Sequence, residues 1–152
     1  VGHITVWPGG PMCGCGKRGH LEAVSSGTAI ANYVRQQIGA GRQSILSKDV
    51  NDLTAREVTA AAQQGDLLAI EAFERAGRFL GQAIADILLL FEPTIVVLGG
   101  SVTKAGDILM SPLHKALGEG VFTPEYLRYL VIAPAKLGDQ VGLIGALTLA
   151  RS

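Results

Sequence analysis

The chain has 152 residues, 48% apolar and 17% charged, with Lys plus Arg and Asp plus Glu balanced at 13 each. That length suits one domain with a buried core, and with the charges balanced nothing points to a basic face for direct nucleic-acid contact or to an acidic tail. The longest apolar run, residues 87–91, is far short of the ~20 residues a membrane span needs.

From the start of the chain, His3 to Trp7 alternates with β-branched residues and predicts a short strand ending at Pro8. A Gly-rich loop comes next and carries both cysteines, Cys13 and Cys15, with His3 before them and His20 after. Zinc takes four N or S donors in a tetrahedron, and two thiolates one residue apart with a histidine on each side can supply them if the chain turns sharply. Glycines and a proline through this stretch permit such turns. A closed set of four protein ligands would shape the loop and leave no open position for catalysis. The plainer alternative is two reduced thiols and surface histidines, since Cys-X-Cys alone is a weak signal and too tight for a comfortable disulfide.

Residues 26–38 then read as a helix, with Ser25 or Ser26 as N-cap, and 39–52 as a polar loop. Thr54 with Glu57 three residues on forms a capping-box pattern for a helix that stops at Gly65. Asp66 should cap the longest helix, running to about Phe91. Its apolar stripe Phe73, Gly77, Leu80, Ile84, Ile87 and Phe91 favours a core helix over a coiled coil. Pro93 ends it. The run 94–98 predicts a strand buried on both faces, breaking at Gly99-Gly100 into a helix that begins near Ser101. Strand, glycine pair and helix N-terminus can admit a phosphate or nucleotide, although tight turns also use glycine for steric reasons alone. A second strand over 129–133 and a final helix over 141–150, apolar on more than one face, complete the order. The pattern indicates an α/β domain with a partly parallel sheet.

The stretch Gly2-His3, nine residues, then Cys13-Gly14-Cys15-Gly16-Lys17-Arg18-Gly19-His20-Leu21-Glu22 resembles the zinc signature of the ROK family of repressors and sugar kinases. That signature runs Gly-His, a spacer of about ten residues, then Cys-X-Cys-Gly-X-X-Gly-Cys-X-Glu. One departure stands out: His20 replaces the family's third cysteine, which turns the implied site from Cys3His into Cys2His2 and keeps a competent zinc donor. Glu22-Ala23 and Ser26-Gly27-Thr28-Ala29-Ile30 resemble the family's residues immediately C-terminal to the signature. Leu98-Gly99-Gly100-Ser101-Val102 resembles the family's adenosine-side turn, and residues 138–146 its C-terminal Gly-rich helix start.

The resemblance covers essentially the whole chain and implies an incomplete C-terminal lobe of the ribonuclease-H-like, actin-like ATPase superfamily, a mixed sheet flanked by helices. It implies that His3, Cys13, Cys15 and His20 hold a structural zinc, with residues 3–22 as the metal loop. His3 and Glu22 would also contact sugar hydroxyls, and Gly99, Gly100 and Ser101 would line the nucleotide. The parent it implies is a glucokinase- or fructokinase-like hexose kinase using ATP and Mg. The general-base aspartate and the Asp-X-Gly-X-Thr phosphate loop belong to the family's first lobe and do not occur here. The chain alone is therefore expected to be inactive and to form homo-oligomers. A sugar-sensing lobe of a repressor and a non-catalytic zinc-stabilised binding domain are the alternatives. No basic-then-apolar leader opens the sequence, and thiols suited to metal favour a reducing, cytoplasmic setting.

Overall fold

Side-chain caps start three of the α-helices in the computed structural model, which describes residues 1–48 and 50–151. A single turn, α1 (Glu22–Ser25), leads into α2 (Gly27–Gly39), whose N-cap Ser26 accepts the Ala29 N–H at 3.1 Å. Short 3-10 turns at Ile45–Lys48 and Val50–Asp52 occupy the polar stretch. Thr54 and Glu57 form the complete capping box at the start of α3 (Ala55–Gln63). The N-cap of α4 (Leu67–Phe91) is Asp66, which is buried and does two jobs. One of its oxygens accepts from Ala69 N–H at 2.9 Å, and the other from Ile45 N–H at 2.8 Å, which ties the preceding loop to the helix. Burial alone would raise its pKa, but these backbone N–H groups outweigh that and hold it low.

At 25 residues α4 is about 37 Å long, and the rest of the fold is laid along it. Its first half packs with α2 and α3 around Phe73, Ile30, Val34, Val58 and Leu68. Its second half packs on α5 (Asp107–Gly120) through Ile84, Leu88, Leu113 and Leu117. The two helices meet backbone to backbone. A Cβ on Gly77 would lie 2.6 Å from the Leu109 carbonyl oxygen, and one on Gly81 would run into that of Leu113. No larger residue fits there without separating them.

The chain leaves α4 through Glu92 in the left-handed region (φ 46°) ahead of Pro93. Strand β1 (Ile95–Leu98) pairs in parallel with β2 (Val131–Pro134), Ile95 opposite Val131 and Leu98 opposite Pro134. With α5 between them, the two strands form a β-α-β unit, and α6 (Val141–Ala150) closes the chain. The α/β class read from the sequence holds, with the sheet present as this one parallel pair among the described residues.

Several expectations need correction. Residues 3–7 form no strand. Thr5 makes one isolated antiparallel bridge to His20, because its partner is the sharply returning end of its own loop. Strand β1 is covered on one face only. Val96 and Leu98 pack inward, while Ile95 (56% exposed) and Val97 (58%) face out. The second strand begins at Val131, because Tyr129 still belongs to the turn after the 3-10 segment Pro124–Leu127. Ser101 opens a 3-10 turn (Ser101–Ala105), and the regular helix waits until Asp107, after Gly106 breaks the direction. The final helix lies where expected, but none of its described side chains is buried.

Candidate functional site

The Gly-rich loop folds back on itself through Met12–Arg18 and Thr5–His20 bridges, with Cys13 N–H bonded to the Lys17 carbonyl at 2.8 Å. This return brings one donor atom each from His3, Cys13, Cys15 and His20 within 4.8 Å of one another. Cys15 Sγ and His20 Nδ1 are 3.3 Å apart. Tetrahedral zinc with Zn–S near ~2.3 Å and Zn–N near ~2.0–2.1 Å separates its ligands by roughly 3.3–3.8 Å. The cluster therefore fits the ion after a contraction of about 1.5 Å or less. The donor set, two soft thiolates and two imidazoles, is also the one zinc favours.

His3 Nε2 lies 3.2 Å from a Glu22 carboxylate oxygen, which leaves Nδ1 as the nitrogen free for a metal. The backbone enforces this pairing: Glu22 N–H bonds the Gly2 carbonyl at 2.9 Å, and Leu21 N–H bonds that of Ile4 at 3.0 Å. Both side chains are more than half exposed, so the His3–Glu22 edge is open to a ligand.

Glu22 also borders a cavity of about 430 Å³ between the metal loop and α2. Met12, Cys13 and Gly14 form one wall, and Ser26, Thr28, Asn32 and Gln36 form another, with Arg75 of α4 on the lining. A second cavity of about 820 Å³ lies between α2, α3 and the turn after β1, and Thr28 and Asn32 line both. Of the residues expected on the nucleotide side, Ser101 lines this second cavity, together with Arg35, Arg56 and Lys104. Gly99 and Gly100 lie at the carboxyl end of β1, where open parallel sheets place ligands. Gly100 has φ 102°, a conformation that excludes side chains, and its carbonyl accepts from the Thr103 hydroxyl at 2.8 Å.

The structure thus joins His3 with Glu22 and assembles the four candidate ligands, while Ser101 sits with a separate cavity. Sequence reasoning missed the residues that tie the loop to the helices. Trp7 stacks on Phe79 at 5.6 Å, and the Arg75 guanidinium lies over the rings of Trp7, Tyr33 and Phe79. Beside it, Arg42 makes a two-pronged pair with Glu71, which also accepts from the Tyr33 hydroxyl. Arg42 first and Tyr33 second hold the Glu71 carboxyl at about 2. The only hint in sequence is Glu71 and Arg75 spaced by four on one helix, and that pairing does not form.

The chain is similar to known proteins along nearly all of its length. The ROK family matches residues 1–152. A glucokinase from Thermotoga maritima is 34% identical over 152 residues, covering 98% of this chain and 48% of the relative. The N-acetylglucosamine repressor of Escherichia coli is 37% identical over 117 residues, covering 77% of this chain and 28% of that protein. Among solved structures, a ROK family glucokinase from Streptomyces griseus in complex with glucose and AMPPNP superposes with a TM-score of 0.81 at 33% identity, over 99% of this chain and 50% of that one. The chain spans about half the length of the curated glucokinases it matches.

Proposed function

Because the chain belongs to the ROK family, we propose that it supplies the sugar-binding and nucleotide-facing half of an ATP-dependent hexose kinase of the glucokinase type. The observation that carries this is the His3–Glu22 pair, held on the rim of the metal cluster and open to solvent. It is supported by a match to a glucokinase over 98% of the chain.

In this reading His3, Cys13, Cys15 and His20 hold zinc, which when bound fixes the loop and takes no part in chemistry. His3 then presents Nε2, and with it Glu22, in one fixed orientation. The carboxylate accepts hydrogen bonds from sugar hydroxyls, and the imidazole adds a second polar contact. Both position the sugar, and neither takes its proton. On the other side, Gly99, Gly100 and Ser101 admit the nucleotide, since a turn without side chains lets the backbone approach it. Phosphoryl transfer needs positioning and charge stabilisation from both walls of a cleft, and the general base and Mg-binding groups are assigned to the other wall. A cytoplasmic setting and a hexose and ATP as partners belong to the same reading.

The test is a coupled assay on a two-lobed protein ending in these 152 residues, with ATP and a panel of hexoses. ATP-dependent hexose phosphorylation is expected, and none from the chain alone. A protein that phosphorylates no hexose but releases DNA on sugar binding would establish the repressor reading instead.

A further inference from the structure

Arg75 is half-buried and lies on its three rings, with Cζ 4.7 Å from the Tyr33 ring centre, 5.3 Å from that of Trp7 and 5.7 Å from that of Phe79. Among the described residues no hydrogen bond or ion pair engages its guanidinium. Other arginines nearby are spoken for: Arg35 donates to the Val50 and Leu53 carbonyls, and Arg42 to Glu71. Glu71 is one turn before Arg75 and would be its natural partner, but Arg42 and Tyr33 have taken it. Since no side-chain nitrogen is buried without a partner among the described residues, the donor edge of Arg75 must reach open space. Arg75 lines the 430 Å³ cavity.

The geometry points to a phosphate-binding site in that cavity, with Arg75 as the anchor and the phosphate either free or carried on a small polyol. A guanidinium with its faces stacked on rings keeps its planar fork of donors for an oxyanion, which it can engage with two parallel bonds. Donors and acceptors suited to hydroxyl groups surround it. Gln36, Ser26 and Thr28 line the cavity, and Asn32 accepts from Arg35 with its side-chain oxygen, which leaves its NH2 as a donor. Glu22 is the only carboxylate among the described lining residues, and it is engaged with His3. Met12, Cys13 and Gly14 form the opposite wall, so occupancy would brace the metal loop from beneath.

Trp7 is the chain's single tryptophan and lies against Arg75, so its fluorescence is a direct reporter. The chain is titrated with inorganic phosphate and separately with glucose 6-phosphate, against sodium chloride of matched ionic strength. Saturable change with either phosphate and none with chloride is expected. Saturation by both identifies the phosphate group as sufficient, and saturation by glucose 6-phosphate alone assigns the polyol to the amide and hydroxyl wall. Arg75→Met should weaken binding by about tenfold or more. In the wild type, the Arg75 Nε–H resonance should shift along the same saturation curve. Glucose without phosphate should leave that resonance in place, which separates this site from the sugar reading at the His3–Glu22 edge. Absence of saturation by either phosphate, a folded Arg75→Met variant that binds as the wild type does, or an Arg75 resonance that stays in place would overturn the proposal.

Discussion

Cys13 and His20 are buried in the Gly-rich loop, while His3 and Cys15 face solvent. The Cys15 backbone N–H lowers the Cys13 thiol pKa, but burial and the neighbouring Cys15 thiol together leave it above its ordinary value. Both thiols must lose protons to bind zinc, so uptake should release protons and weaken as pH falls. The chain is expected to bind one zinc, and Cys15→Ser, at an exposed position, should weaken it by about tenfold or more while sparing the helical core. Metal analysis with competition against a chromophoric chelator checks this, and a zinc-free chain with two freely titrating thiols would contradict it. The convergence of these four side chains was legible in the sequence because the loop is local: they lie within eighteen positions. Arg75 was not legible. Its neighbours come from positions 7, 33 and 79, and no local pattern encodes which rings will converge on one guanidinium.

Helices α2, α3 and α4 were readable to within a residue or so, because Ser26, Thr54 with Glu57, and Asp66 satisfy the first backbone N–H groups from within their own segments. The inward face of β1 and the alternation of its burial depend on what packs against it, and a run of β-branched residues does not specify that. The close α4–α5 contact was visible only as two glycines, Gly77 and Gly81, inside a long apolar helix. The structure gives them a sharp test. Gly→Ala in a helix interior gains roughly 1 kcal/mol of helix propensity, so any net loss reports packing. At Gly81 the added Cβ would meet the Leu113 carbonyl oxygen, with Leu117 N at 2.9 Å and Ala116 Cβ at 3.0 Å. Gly81→Ala should therefore lose about 1–3 kcal/mol in urea unfolding. Unchanged or higher stability would show that the helices separate at no cost.

The molecule as a whole carries a continuous theme of uncovered apolar surface. Val141, Leu143, Leu147 and Leu149 of α6 are exposed, as are Ile95, Val97 and Val131 on the sheet, and Leu90 and Phe91 at the end of α4. Surfaces of this kind mark a contact with another body. Sedimentation of the chain should show self-association, and a monodisperse monomer over a wide concentration range would contradict that. The central claim is narrower: the His3–Glu22 edge, set by the metal loop, holds the sugar. In a two-lobed protein ending in this chain, the glucose dependence of ATP-driven phosphorylation is to be measured for the wild type and for Glu22→Gln. Hydrogen bonds from sugar hydroxyls to a carboxylate predict a rise in the apparent glucose KM of roughly ten- to a hundredfold on this substitution. An unchanged glucose dependence in a folded, zinc-loaded variant would place the sugar elsewhere.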